Sequence, residues 1–266
     1  QPSWRQGQLI LPKPSFRRYR FLRSQDPTVC DLLLDRDNFY LLSDNGVPMA
    51  NRDAQLTVNT IGSSGPGSRL LILLHGYGAD ENDLAPIVSH IDPEGLFFSV
   101  CLRAPIDLVP FGAAWYERDA AGAIAAETFI SSVDAIDETI NEICEWGSFD
   151  YSESVLLGFS QGCAMALASC FRASKVVRPA GLACLSGMLQ TVPNFHYQLS
   201  GPPMSILVQH GVDDPMVNID KGRSIRDSLI ESGLEPQYFE YRMQHEINGE
   251  SLFDLRSWLN TVGLAI

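Results

Sequence analysis

From residue 69 onward the apolar positions of this chain gather into short unbroken runs, set apart by longer stretches of mixed character. Residues 70–74 read Leu-Leu-Ile-Leu-Leu without a polar interruption. Such a run, too short for a buried helix and not alternating, predicts a strand covered on both faces, as in the middle of a parallel sheet. Further strands, less uniformly apolar, are expected at 96–102, at 151–157 (ending Val155-Leu-Leu157), at 181–186 and at 204–210. Residues 236–243 alternate and predict a further strand. The intervening stretches 83–91, 125–146, 163–171, 216–232 and 250–262 predict helices. The helix over 125–146 is amphipathic with acids outward, and that over 163–171 is small and apolar all round. Strands alternating with helices predict an α/β fold with a doubly wound, mostly parallel sheet. A long loop carrying Pro105, Pro110 and Trp115 is expected between the second strand and the long helix.

Residues 1–60 are less regular. Strands are expected at 16–22 and 38–42, and Ser43-Asp-Asn-Gly46 predicts a turn. The Gly/Ser/Pro-rich stretch 61–68 reads as a connector, either the tip of a hairpin or a boundary. The expected division is an N-terminal extension, 1–60, packed on or near the core, and an α/β domain over 61–266. No internal repeat or low-complexity segment interrupts the latter.

Charge and cysteine usage narrow the classes. The 266 residues carry a formal net charge of -13, which argues against nucleic acid or an anionic membrane as the partner. Residues 1–25 hold six basic residues and no acid, leaving -19 on the remainder. The basic arm is therefore expected to lie on the acidic body, with a separate contact surface as the alternative. The six cysteines show no C-x-x-C pair and read as buried thiols of a reducing, cytoplasmic compartment. No apolar run reaches the roughly 18 residues of a membrane span, and the first residues lack the apolar core of a signal peptide. Neither a signal peptide nor stable membrane insertion is expected.

Gly158-Phe-Ser-Gln-Gly162 brings in the chemistry. It stands between a predicted strand and a predicted helix of small residues, the setting of a nucleophile elbow. There the serine is held in a strained backbone conformation, and the residues two before and two after it must be small. Ser160 needs a base, and the base needs a group to orient it. With chain order serine, acid, histidine, His75 and His90 come too early. The acid is expected just after the 204–210 strand, and His245 is the histidine beyond that point, in the loop before the last helix. Asp213 and Asp214 both stand at the acid's place. His210 reads as a structural residue at a strand end. The turn His75-Gly-Tyr-Gly78 can aim a backbone N–H at a reacting oxygen, so Tyr77 and Gln161 are the expected oxyanion donors. Gly76 and Gly78 lack the third glycine of a dinucleotide fingerprint, and no second ligand cluster supports a metal at Asp213/Asp214.

Five ordered motifs are similar to those of the carboxylesterase/phospholipase family, which includes small carboxylesterases and acyl-protein thioesterases. They are His75-Gly-Tyr-Gly-Ala-Asp-Glu-Asn-Asp83, Ala114-Trp-Tyr116, Gly158-Phe-Ser-Gln-Gly162, His210-Gly-Val-Asp-Asp-Pro215 and Met243-Gln-His-Glu-Ile247. The resemblance covers about residues 69–263 and implies an α/β-hydrolase fold without a large cap domain. It implies a carboxylesterase acting through an acyl-enzyme, with Ser160 as nucleophile, Asp214 as acid, His245 as base, and Tyr77 and Gln161 at the oxyanion. Pro215 agrees with Asp214, because a residue before proline is held extended. Trp115 would line an acyl pocket, while by residue type alone it reads equally as core. No cofactor is implied, the substrate would be a small-molecule or lipid ester, and a homodimer stays open. An acyl-protein thioesterase or lysophospholipase with the same triad is the alternative, and a non-catalytic binding protein on this fold is a third reading. Three features depart from the family pattern: Gln244 before the histidine in place of a common glycine, Tyr77 in place of a common leucine, and the length of residues 1–60.

Overall fold

A computed structural model describes residues 34–35, 38–39, 56–64 and 67–264. The strand expected at 16–22, the turn at 43–46 and the basic arm lie outside the described residues. In chain order the elements are β1 (Leu34–Asp35), β2 (Asn38–Phe39), β3 (Val58–Ile61), β4 (Arg69–Leu74), α1 (Ala85–Ile91), β5 (Phe97–Leu102), β6 (Ile106–Asp107), β7 (Ala113–Ala114), α2 (Ala126–Gly147), β8 (Val155–Phe159), α3 (Gln161–Phe171), β9 (Gly181–Leu185), β10 (Ser205–Gly211), α4 (Ile219–Glu231), β11 (Gln237–Tyr241) and α5 (Gly249–Leu264).

Seven strands form the central sheet in the order β11-β10-β9-β8-β4-β5-β3. Every pairing is parallel except β3 with β5. The fold is that of an α/β-hydrolase, and β8, the strand leading to Ser160, stands at its centre. Side chains alternate between two cores, as the period of a strand requires. Leu70, Ile72 and Leu74 pack beneath α2, α3 and α4. Leu71 and Leu73 pack on the other face beneath α1 and α5. In α2, Phe129, Val133, Ile136, Ile140 and Ile143 line one buried stripe, the 3.6-residue spacing of a helix lying on a sheet.

The structure differs from the sequence reading at several places; the strand expected over 151–157 begins only at Val155, after a 3-10 turn at Tyr151–Glu153. The expected boundary between residues 60 and 61 falls inside β3, which joins the main sheet. β3 and β4 form no hairpin with each other, because each pairs with β5. The loop after β5 contains the small antiparallel pair β6–β7, whose two-residue strands are too short to show alternation. Helix α4 starts at Ile219 rather than Met216, since the N–H groups of Met216 and Val217 are taken by the Asp214 carboxylate, each at 2.8 Å. Asn218 then caps the helix through Asp220 N–H at 2.9 Å. Among the described residues, no helix is long and apolar enough to cross a membrane. The five cysteines among them are free thiols, four of them buried.

Two buried histidines close strands at the same end of the sheet. His75 follows β4, and its Nδ1–H donates to the Gly76 carbonyl at 2.7 Å while Nε2 accepts from Ala104 N–H at 3.0 Å. The neutral ring thus fills both sites, and protonation at Nε2 would break the second bond. His210 in β10 is fully buried, and its Nε2–H donates to the Val217 carbonyl at 2.8 Å. Burial is the largest cause that pushes both rings below the ordinary histidine value. Below the unfolded value of about 6.5 the unfolded chain therefore binds more protons than the native one. The stability these rings contribute is complete above that pH and declines as pH falls through it. Lowering the pH from about 7.5 to about 5.5 should reduce the melting temperature. In His75→Gln the decline should be shallower from a lower starting point. Thermal melts across that range check this; wild-type and variant curves of equal slope would mean that His75 is not held neutral.

Candidate active site

The elbow is built by close approach of backbones. A Cβ on Gly162 would lie 2.1 Å from the Leu74 carbonyl oxygen, and one on Gly158 2.3 Å from that of Gly162. Strand and helix therefore meet at distances only glycine allows. The chain turns between them within one residue, and Ser160 takes φ 55° and ψ −115°. That conformation is strained for a residue with a side chain. It is held by Ser160 N–H on the Leu185 carbonyl at 2.9 Å and by α3, in which all eleven residues are buried. Ser160 is partly exposed at the helix N-terminus, where the helix dipole favours negative charge.

His245 comes from the loop between β11 and α5. Asn248 and Ser251 cap each other at the end of that loop, with 2.8 and 3.0 Å bonds between each side chain and the other's backbone N–H. The ring leans on Phe159, centroid to centroid 4.9 Å. Ser160 Oγ lies 2.8 Å from Nε2, and Asp214 Oδ2 lies 2.7 Å from Nδ1. A carboxylate only accepts, so Nδ1 carries the proton and Nε2 accepts from the serine hydroxyl. Asp214 is 8 % exposed, and its other oxygen takes the two N–H groups of residues 216 and 217. Asp213 is exposed, and its backbone N–H donates to the Met243 carbonyl at 3.2 Å. Gly211 lets the acid loop and the histidine loop touch: a Cβ there would lie 2.3 Å from the Met243 carbonyl and 2.5 Å from that of Gln244.

The turn carrying Tyr77 presses on the same corner. A Cβ on Gly76 would lie 3.3 Å from Ser160 Cβ, so the next backbone N–H, that of Tyr77, enters the neighbourhood of the serine. The Tyr77 side chain points outward, 66 % exposed. Residues 113–116 tie this turn to the elbow. Gly78 N–H donates to the Ala113 carbonyl at 2.9 Å, and Ala113 N–H to the Ala79 carbonyl at 2.8 Å. Gln161 accepts from Trp115 N–H at 2.8 Å and donates to the Tyr116 carbonyl at 3.0 Å. The Trp115 indole N–H donates to the His75 carbonyl at 2.9 Å.

Trp115 needs correction as a pocket-lining residue. Its ring has no exposed surface and belongs to the core beneath the turn, so it holds the turn in place and offers a substrate nothing. Sequence reasoning also missed the Gln161 side chain, because only its backbone N–H was expected to act. Loops that follow the carboxyl ends of the strands expose Tyr77, Val109, Phe111 and Met216. Among the described residues, no group of three or more His, Cys, Asp or Glu side chains is arranged to hold a metal ion.

The chain has known relatives. The model of a family described as phospholipase/carboxylesterase matches residues 57–263. Acyl-protein thioesterase 1 of Yarrowia lipolytica is 28% identical over 214 residues, covering 71% of this chain and 89% of that protein. A carboxylesterase from Bacillus cereus superposes with a TM-score of 0.68 at 20% identity, covering 79% of this chain and 96% of that one. A carboxylesterase from Mesorhizobium loti gives a TM-score of 0.68 at 21% identity, covering 78% and 96%. The chain belongs to the phospholipase/carboxylesterase family.

Proposed function

We propose that this protein is a serine hydrolase that cleaves carboxylic esters through an acyl-enzyme. The observation that carries the reading is the Ser160 hydroxyl, held in a strained turn 2.8 Å from a ring nitrogen of His245 whose other nitrogen is 2.7 Å from buried Asp214. His245 Nε2 takes the hydroxyl proton as Ser160 Oγ attacks the ester carbonyl. Asp214 keeps the proton on Nδ1 and stabilises the imidazolium that forms. The backbone N–H groups of Tyr77 and Gln161 receive the oxyanion. His245 then protonates the leaving alcohol, and a water activated by the same ring releases the acid. The apolar side chains exposed on the loops at the carboxyl ends of the strands suit an ester with an apolar acyl or alkyl part. The free thiols suit a cytoplasmic location.

Acyl-protein thioesterase or lysophospholipase activity is the second reading. It is favoured by the family match and by the named thioesterase relative. Rates on p-nitrophenyl esters of rising chain length, set beside matched thioesters and a lysophospholipid, separate the three.

Ser160→Ala should lower kcat on p-nitrophenyl esters by on the order of 10⁴-fold or more and abolish labelling by a fluorophosphonate probe. Its melt should stay cooperative. Retention of most activity by a clean preparation would refute the nucleophile.

The adjacent acids should behave differently. Asp214→Asn leaves an amide that cannot hold the correct tautomer of His245, so kcat should fall by roughly 10⁴-fold. Asp213→Asn removes an exposed charge screened by water and should change kcat by less than about tenfold. If Asp213→Asn proves the slower of the two, the acid is misassigned.

A further inference from the structure

One side chain bears on the acid without facing the serine. His210 is the penultimate residue of β10 and is fully buried. Its Nε2–H donates to the Val217 carbonyl at 2.8 Å. The same nitrogen lies 3.5 Å from Asp214 Oδ2, the oxygen that receives His245. On its other side α4 lies against the ring. A Cβ on Gly222 would sit 2.6 Å from Nδ1 and 2.9 Å from Cγ. Among the described residues, no polar group bonds Nδ1.

These contacts close a ring through the turn that carries the acid. Asp214 Oδ1 is held by the N–H groups of Met216 and Val217. The Val217 carbonyl is held in turn by His210. The carboxylate thus takes its direction from a peptide segment whose far end is pinned to β10 by one N–H. A buried ring nitrogen without a partner is unfavourable. An apolar side chain would fill the space without that penalty, so the Nε2–H bond is the feature that distinguishes histidine here. The neutral ring has one N–H, and the Val217 carbonyl fixes it on Nε2.

We propose that His210 is a positioning residue: through the Val217 carbonyl it sets the direction of the Asp214 carboxylate toward His245. This rests on the triad reading above and deepens it. The residue touches neither substrate nor reacting atoms and acts through the acid, as an outer hydrogen-bond partner orients a catalytic group.

The test uses the whole chain and three readouts: thermal melts, steady-state kinetics on a p-nitrophenyl ester, and the low-field proton NMR line of His245 Nδ1–H in the free enzyme. His210→Leu removes the N–H. It should melt cooperatively, lower kcat on the order of 10²-fold as expected for misplacement of a reacting group, and leave KM within about twofold. Its His245 line should shift or vanish. His210→Gln places an amide N–H where Nε2 stood and should restore both the line and kcat to within about fivefold. In an Asp214→Asn background, His210→Leu should cost less than about twofold, because the two residues act in one chain of contacts.

An unchanged kcat in a folded His210→Leu protein overturns the proposal. So does an equal loss in the Asp214→Asn background, or a fall in kcat with the line unmoved. If His210→Leu does not fold, His210→Gln and His210→Asn take its place: Gln reaches Val217 and Asn is one methylene too short, so equal lines in the two overturn the proposal. Because the line is read without substrate, wild-type protein that shows it yet cleaves no ester contradicts the hydrolase reading while the positioning inference stands.

Discussion

The approach of α3 to β4 and β8 is the constraint from which the rest of the site follows. A hydrogen at Gly162 is all that fits beside the Leu74 carbonyl, and Gly158 faces Gly162 under the same restriction. With strand and helix this close, the chain has one residue in which to reverse, and that residue adopts a positive φ. The strain is not relieved locally. It is held by an apolar helix sunk between β4, β8 and β9 on one side and α2 on the other. Small side chains along α3, Ala164, Ala166 and Ala168 among them, permit that depth. The core thus supports the geometry of a single hydroxyl.

The other members of the site reach the hydroxyl from loops that the same sheet aligns. Parallel strands place their following loops at one end, so the turn after β4, the acid loop after β10 and the histidine loop after β11 share that end. Contact between loops then refines the position. Gly211 lets the acid and histidine loops run backbone to backbone, and Val212 N–H donates to the Tyr241 carbonyl at 2.8 Å. Burying the Asp214 carboxylate is unfavourable unless it is bonded, and it receives two backbone N–H groups and an imidazole N–H. The same bonds that compensate its burial leave it little freedom to point elsewhere.

Much of this was legible in the residues. An unbroken apolar run marked β4, and small residues on every side of 163–171 marked a helix buried all round. The order of serine, acid and histidine singled out His245. What escaped has common physical causes. β6 and β7 are too short for a period to appear in them. The turn at 214–217 is made by a side chain capturing backbone N–H groups, which helix periodicity does not register. The pocket role of Trp115 came from the resemblance, and whether an indole faces a cavity or a core depends on what packs over it. The Gln161 amide joins residues 46 positions apart, a distance across which a motif says nothing. The edge strand β3 ran into a Gly/Ser-rich stretch that read as a connector.

The burial of α3 has a dynamic consequence. A helix with one face to solvent can fray or open a turn while the domain stays folded. Here every residue from Gln161 to Phe171 is enclosed, so loosening even one turn disturbs two strands and a neighbouring helix. Amide hydrogens in the interior of this helix should exchange only when the whole domain opens. Ser160 therefore has no local route to relaxation: it keeps its geometry until global unfolding, and motion is left to the loops at the rim.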